Sequence, residues 1–91
     1  MVDEDRIRQF SRLLASAGRA HHQAVGGPSP TWAEWYAEQL LPDIGEHVGF
    51  DPSLEQVAAW LRDADAAHRA DAPDERWPAF YARWILESLE A

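Results

Sequence analysis

Ninety-one residues carrying sixteen acidic side chains, eight arginines and no lysine give a net charge of −8, a surface that repels phosphate backbones and anionic lipid. Nucleic-acid and membrane binding are therefore not expected, and the absence of cysteine excludes disulfides, thiolate metal sites and thiol nucleophiles. At this length a single helical domain over 1–91 is expected, with five Trp, three Phe and two Tyr supplying large apolar areas to one small core.

The opening "MVDEDRIRQF" is acidic and lacks the apolar core of a signal peptide. No apolar run approaches the ~18 residues that would span a bilayer. A soluble cytoplasmic protein is the expectation, and the Ala, Arg, Asp and Glu richness without Lys points to a GC-rich bacterial source.

The first helix is expected from about Asp3, as N-cap, to about Ala24, with Gly26-Gly27 stopping it. Ile7, Phe10, Leu14, Ala17 and His21 recur at spacings of three and four and make one stripe. A second helix is expected to open at "SPTWAEW", where Thr31 and Glu34 have capping-box spacing, and to end near Leu41-Pro42. The connector, 43–51, carries Ile44, Val48 and Phe50, apolar side chains suited to plugging the end of a bundle. A third helix is expected from Asp51-Pro52, with Asp as N-cap and Pro at its first position, and its stripe reads Leu54, Val57, Leu61, Ala64 and His68. The fourth begins around Arg76-Trp77, tolerates Pro78 in its first turn and runs close to the carboxy terminus.

The chain repeats itself. The first and third stripes match position for position at an offset of 47, each with histidine last. At an offset of 45, Trp32 answers Trp77, Trp35 answers Phe80, Tyr36 answers Tyr81, Leu40 answers Ile85 and Leu41 answers Leu86. Shared periodicity is expected of any two amphipathic helices; shared His, Trp and Tyr in order is not. The expectation is an all-α, four-helix up-down bundle built from two similar helical hairpins, about 3–42 and about 52–90, with approximate internal two-fold symmetry. Whether the two histidines then meet or sit at opposite ends depends on docking, which periodicity does not specify.

Chemistry-bearing residues are few. His21 and His68 close the two stripes near helix C-termini and can either contact a ligand or lock their own hairpins through a Tyr hydroxyl or a loop carbonyl. Repetition favours the lock. With Trp32, Tyr36, Trp77 and Tyr81, the two histidines would line an aromatic ligand pocket. A His21, His68 and Asp71 metal set would require a particular docking, and adjacent His21 and His22 point about 100° apart on a helix; no metal and no cofactor are expected. Glu34 and Glu38, four apart, fit a solvated face better than an acid-base pair, and the second hairpin has Ala79 and Arg83 in their places. Trp60 lies partly off its stripe and, with Trp35, is a candidate interface residue. Phosphate-loop, dinucleotide, nucleophile-elbow, zinc-protease and EF-hand templates are missing, so no catalytic residue is assigned.

"WAEWYAEQLL" and "WPAFYARWIL" resemble a motif of roughly the form W-x-x-W-Y-A-x-x-L in small all-helical bacterial proteins, particularly of actinobacterial type. The resemblance covers chiefly Trp32 to Leu41 and its echo, from which Phe80 departs, and it brings no activity, cofactor or partner with it. The leading expectation for function is an acidic, non-enzymatic interaction or accessory protein that binds a protein partner or its own copy through an aromatic surface. The alternative is a small-molecule-binding protein, or a small enzyme, with an aromatic pocket containing His21 and His68.

Overall fold

A computed structural model describes residues 3–25 and 30–90. Four helices follow in order: α1 (Glu4–Val25), α2 (Trp32–Val48), α3 (Leu54–Asp71) and α4 (Trp77–Glu90). Each packs on its neighbours in sequence, and α1 also packs on α4, so the helices form a ring around one core. The Cα radius of gyration is 12.2 Å, close to the roughly 12 Å expected of a packed domain of this length.

The two stripes form opposing parts of that core. Phe10, Leu14 and Ala17 of α1 are buried with Val57, Leu61 and Ala64 of α3, and Ala37, Leu40 and Ile44 of α2 belong to the same buried cluster as Phe80, Ala82, Ile85 and Leu86 of α4. Ile7 and Leu54, the outermost positions of their stripes, are only partly buried. The adjacent histidines of α1 divide as helical geometry requires, His21 buried and His22 exposed.

The start of α1 follows its local signal, whereas the starts of α2 and α3 and the end of α2 depart from theirs. At α1, Asp3 behaves as an N-cap, its Oδ1 accepting from the Asp5 N–H at 3.0 Å, whereas Gly26-Gly27 lie outside the described residues. At α2, Thr31 is the N-cap residue but its side chain makes no cap hydrogen bond; Glu34 instead pairs with Arg62 of α3. At α3, the cap is Ser53 rather than Asp51. Its hydroxyl accepts from the Gln56 N–H at 3.2 Å while the Gln56 side chain accepts from the Ser53 N–H at 2.9 Å, a reciprocal box that starts the helix at Leu54. Pro52 is thereby left before the helix, and it is buried.

The largest departure is at Pro42, which α2 runs through for six further residues. Proline there forfeits one backbone bond, but stopping would expose Ile44, which is fully buried, and Val48, which packs against the core. Tertiary burial outweighs the local break. The helix ends at Gly49, whose φ of 89° is left-handed and whose N–H donates to the Gly45 carbonyl at 2.9 Å. The chain then folds back over Gly45, where a Cβ would stand 2.8 Å from Asp51 Oδ1. Residues 43–48 are therefore helix, and of the three apolar side chains expected to plug the bundle end, Phe50 does not: it is 44% exposed and lies edge-on to Trp60, ring centroids 5.9 Å apart.

Candidate functional site

A cleft of about 600 Å³ opens where α1 and α3 end and α2 and α4 begin, and His21, Trp32, Tyr36, His68, Trp77 and Tyr81 all line it. Docking thus brings both histidines to one end of the bundle. Asp71 does not line the cleft, and among the described residues no three His, Asp or Glu side chains converge as a metal ion would need.

In each half the histidine sits edge-on to two aromatic rings of the next helix. His21 lies 5.0 Å from Trp35 and 4.9 Å from Tyr36 between centroids; His68 lies 5.1 Å from Phe80 and 6.0 Å from Tyr81. Trp32 meets Tyr36, and Trp77 meets Tyr81, again edge-on. Such pairs favour the positive ring edge against the negative face.

The hydrogen bonds do not repeat. His68 Nε2 is 2.6 Å from the Glu75 carbonyl, and Glu75 is itself held by both terminal nitrogens of Arg83 at 3.0 Å. The Tyr81 hydroxyl donates to Asp65 at 2.7 Å, and Arg69 pairs with the same carboxylate at 3.2 Å. Burial, then the bond to Asp65, pushes the Tyr81 phenol far above its ordinary range. These contacts tie the end of α3 to the following turn and to α4.

On the α1–α2 side His21 is 7% exposed and its Nε2 has no hydrogen-bond partner among the described residues. At the offset that relates His21 to His68, Asp65 is answered by Gly18. Gly18 has no carboxylate to offer, so Tyr36 lacks the counterpart of the Tyr81–Asp65 bond at that position, and its hydroxyl stands 3.7 Å from where a Gly18 Cβ would be. Burial raises the Tyr36 pKa, so at neutral pH the hydroxyl is a hydrogen-bond donor.

Gly18 has a second consequence, because a Cβ built on it would be 2.7 Å from Trp77 Cζ2. The indole of Trp77 rests on bare helix backbone and forms a wall between the main cleft and a neighbouring one of about 510 Å³, lined by Arg19, Gln23, Arg76 and Pro78. Gly18→Ala is expected to push the half-buried ring aside rather than break the core. Its strain would be offset by a helix-propensity gain of up to about 1 kcal/mol, leaving the melting temperature nearly unchanged while the environment of the Trp77 indole N–H shifts, as two-dimensional NMR would register.

Other candidate residues lie elsewhere. Glu34 is held below the ordinary carboxylate range chiefly by its hydrogen bond to Arg62, and Glu38 is exposed, so the two carboxylates are not a working pair. Trp35 lies edge-on to His21, and Trp60 lies edge-on to Phe50. Asp65 and Arg69 escape attention in the sequence because they stand one place beyond stripe positions; extending the offset of 47 from Gly18 and His22 reaches both.

The Arg83 to Glu75 pair has a pH signature. Its hydrogen bond lowers the folded pKa of Glu75, so the contribution is present above the unfolded glutamate pKa and is lost as pH falls through the folded one. Arg83 also lies 5.6 Å over the Phe80 ring. Arg83→Gln should therefore lower the melting temperature at neutral pH by a margin that narrows in acid; a constant margin would assign the effect to packing on Phe80.

Among the described residues no helix is long and apolar enough to cross a membrane. Against family models, curated proteins and solved structures the chain has no match, so what the cleft takes rests on its own groups.

Proposed function

We propose that the chain binds a small organic molecule in the cleft between its hairpins, with the rings of Trp32, Tyr36, Trp77 and Tyr81 as walls and His21 as the buried polar contact. One observation carries the reading: equivalent groups are satisfied in one half and open in the other. His68 and Tyr81 have a carbonyl and a carboxylate, whereas the buried His21 Nε2 has neither. A buried polar atom without a partner costs on the order of 1–3 kcal/mol, a penalty that a ligand donor or acceptor would remove.

This reading includes the finer architecture, an up-down pair of similar hairpins with approximate two-fold symmetry. It is supported by the recurrence of the histidine-to-aromatic contacts at the offsets of 47 and 45. A duplicated hairpin in which one copy keeps its lock and the other has lost it gives the cleft between them one set of satisfied polar groups and one open set. Kinship with small bacterial helical proteins that share W-x-x-W-Y-A-x-x-L, and a cytoplasmic setting, belong to the same proposal and rest on motif and composition.

A second reading, binding to a protein partner or to a second copy, is favoured by Phe50, exposed against Trp60. Native mass spectrometry of untagged protein, purified gently from a bacterial host, separates the two. An added organic mass on the monomer, lost in His21→Phe, is expected from the cleft reading. A bare dimer that dissociates in Trp60→Ala would replace it with the interface reading.

A further inference from the structure

We infer that the ligand of the proposed cleft is an organic anion with a planar apolar body, its acidic group directed past Trp77 to Arg19 and Arg76. The inference rests on the cleft reading and adds the charge of the molecule. The two cavities share Gly18, His22, Tyr36 and Trp77 as lining, so a molecule seated on the rings has its far end beside the second cavity.

Charge is sharply segregated there. The chain carries sixteen acidic residues and eight arginines, yet the joint lining holds three of those arginines, Arg19, Arg69 and Arg76, and a single acid, Asp65. Asp65 is already committed to Tyr81 and Arg69, and Glu75 in the nearby turn is committed to Arg83. Arg19 and Arg76 make no ion pair among the described residues. A guanidinium binds carboxylate or phosphate through parallel N–H donors, and the Tyr36 hydroxyl adds a neutral donor on the same side. The three groups together offer donors to an anion and no anionic acceptor to a cation. The flat walls Trp32 and Trp77 select a planar body, since ring faces and edges pack best against another ring.

The test uses the intact protein and three probes of one shape, 2-naphthoate, 2-naphthyl phosphate and neutral 2-naphthamide, titrated by calorimetry. The expected result is that either anion binds at least tenfold tighter than the amide, that raising salt from about 50 to about 500 mM erodes that preference by screening, and that the double variant Arg19→Gln, Arg76→Gln abolishes it, bringing the anions to the affinity of the amide. Both arginines are surface residues, and circular dichroism of the variant checks that it is folded. Carboxylate and phosphate are both outcomes of the same chemistry, and their ratio identifies which acidic group fits. Equal binding of all three probes overturns the charge inference and leaves the cleft reading standing. A preference that survives the double variant overturns the assignment to Arg19 and Arg76. Binding by none of the three overturns the inference and the cleft reading together.

Discussion

Leu61→Ala is expected to lower the free energy of unfolding by about 2–5 kcal/mol, the range for removing a buried leucine side chain without full collapse of the void. Leu61 is fully buried at the middle of the α3 stripe, in one cluster with Phe10, Leu14 and Ile85. Those neighbours come from other helices that also hold the ring together through further contacts, so the space is expected to close only in part. A chain of this length has roughly 5–14 kcal/mol of stability to lose, so the variant should melt well below the parent in a chemical denaturation series with an unchanged slope. A midpoint within experimental error of the parent would mean that the α1 and α3 stripes do not form the core described.

The second large effect is a contrast between the two histidines. His21→Phe is expected to leave the fold as stable as the parent or more so, because it removes an unpartnered buried nitrogen and retains a ring against Trp35 and Tyr36. Ligand affinity should fall by about tenfold or more, the worth of one hydrogen bond of about 1.4 kcal/mol. His68→Phe should behave in the opposite way. It removes the bond to the Glu75 carbonyl and is expected to cost roughly 1–2 kcal/mol of stability, with binding reduced only through the loosened α3–α4 turn. Thermal melts of both variants, paired with calorimetry, read the two effects separately. Equal destabilisation by the two substitutions would make His21 a lock like His68 and leave the cleft without its polar contact.

Much of this was legible in the residues, for a physical reason. An amphipathic helix reports its buried face through its own period, so Phe10, Leu14, Val57 and Leu61 identify themselves; the repeated His, Trp and Tyr name six candidate residues, but that all six line one cleft is a result of docking, which periodicity does not carry. What local sequence does not contain is competition from distant residues. Glu34 has the spacing of a capping box with Thr31, but Arg62 on another helix takes its carboxylate. Pro42 reads as a stop, but burial of Ile44 carries the helix past it. Ser53 wins the α3 cap over Asp51 because Gln56 can answer it. The asymmetry of the cleft is subtler, since Gly18 is ordinary in a helix and acquires meaning only when set beside Asp65 at the same offset. Charge segregation was likewise hidden: Arg19 and Arg76 are far apart in sequence and come to line one cavity only at the end of the bundle.

The most direct measurement is a two-dimensional NMR spectrum of the five assigned tryptophan indole N–H groups, recorded as 2-naphthoate is added. The indoles of Trp32 and Trp77 should move together and saturably, with Trp35 following through His21, while Trp60 and Trp84 stay in place. Saturable movement confined to Trp60, or a spectrum in which no indole moves, would show that the open histidine end of the bundle is not a binding site.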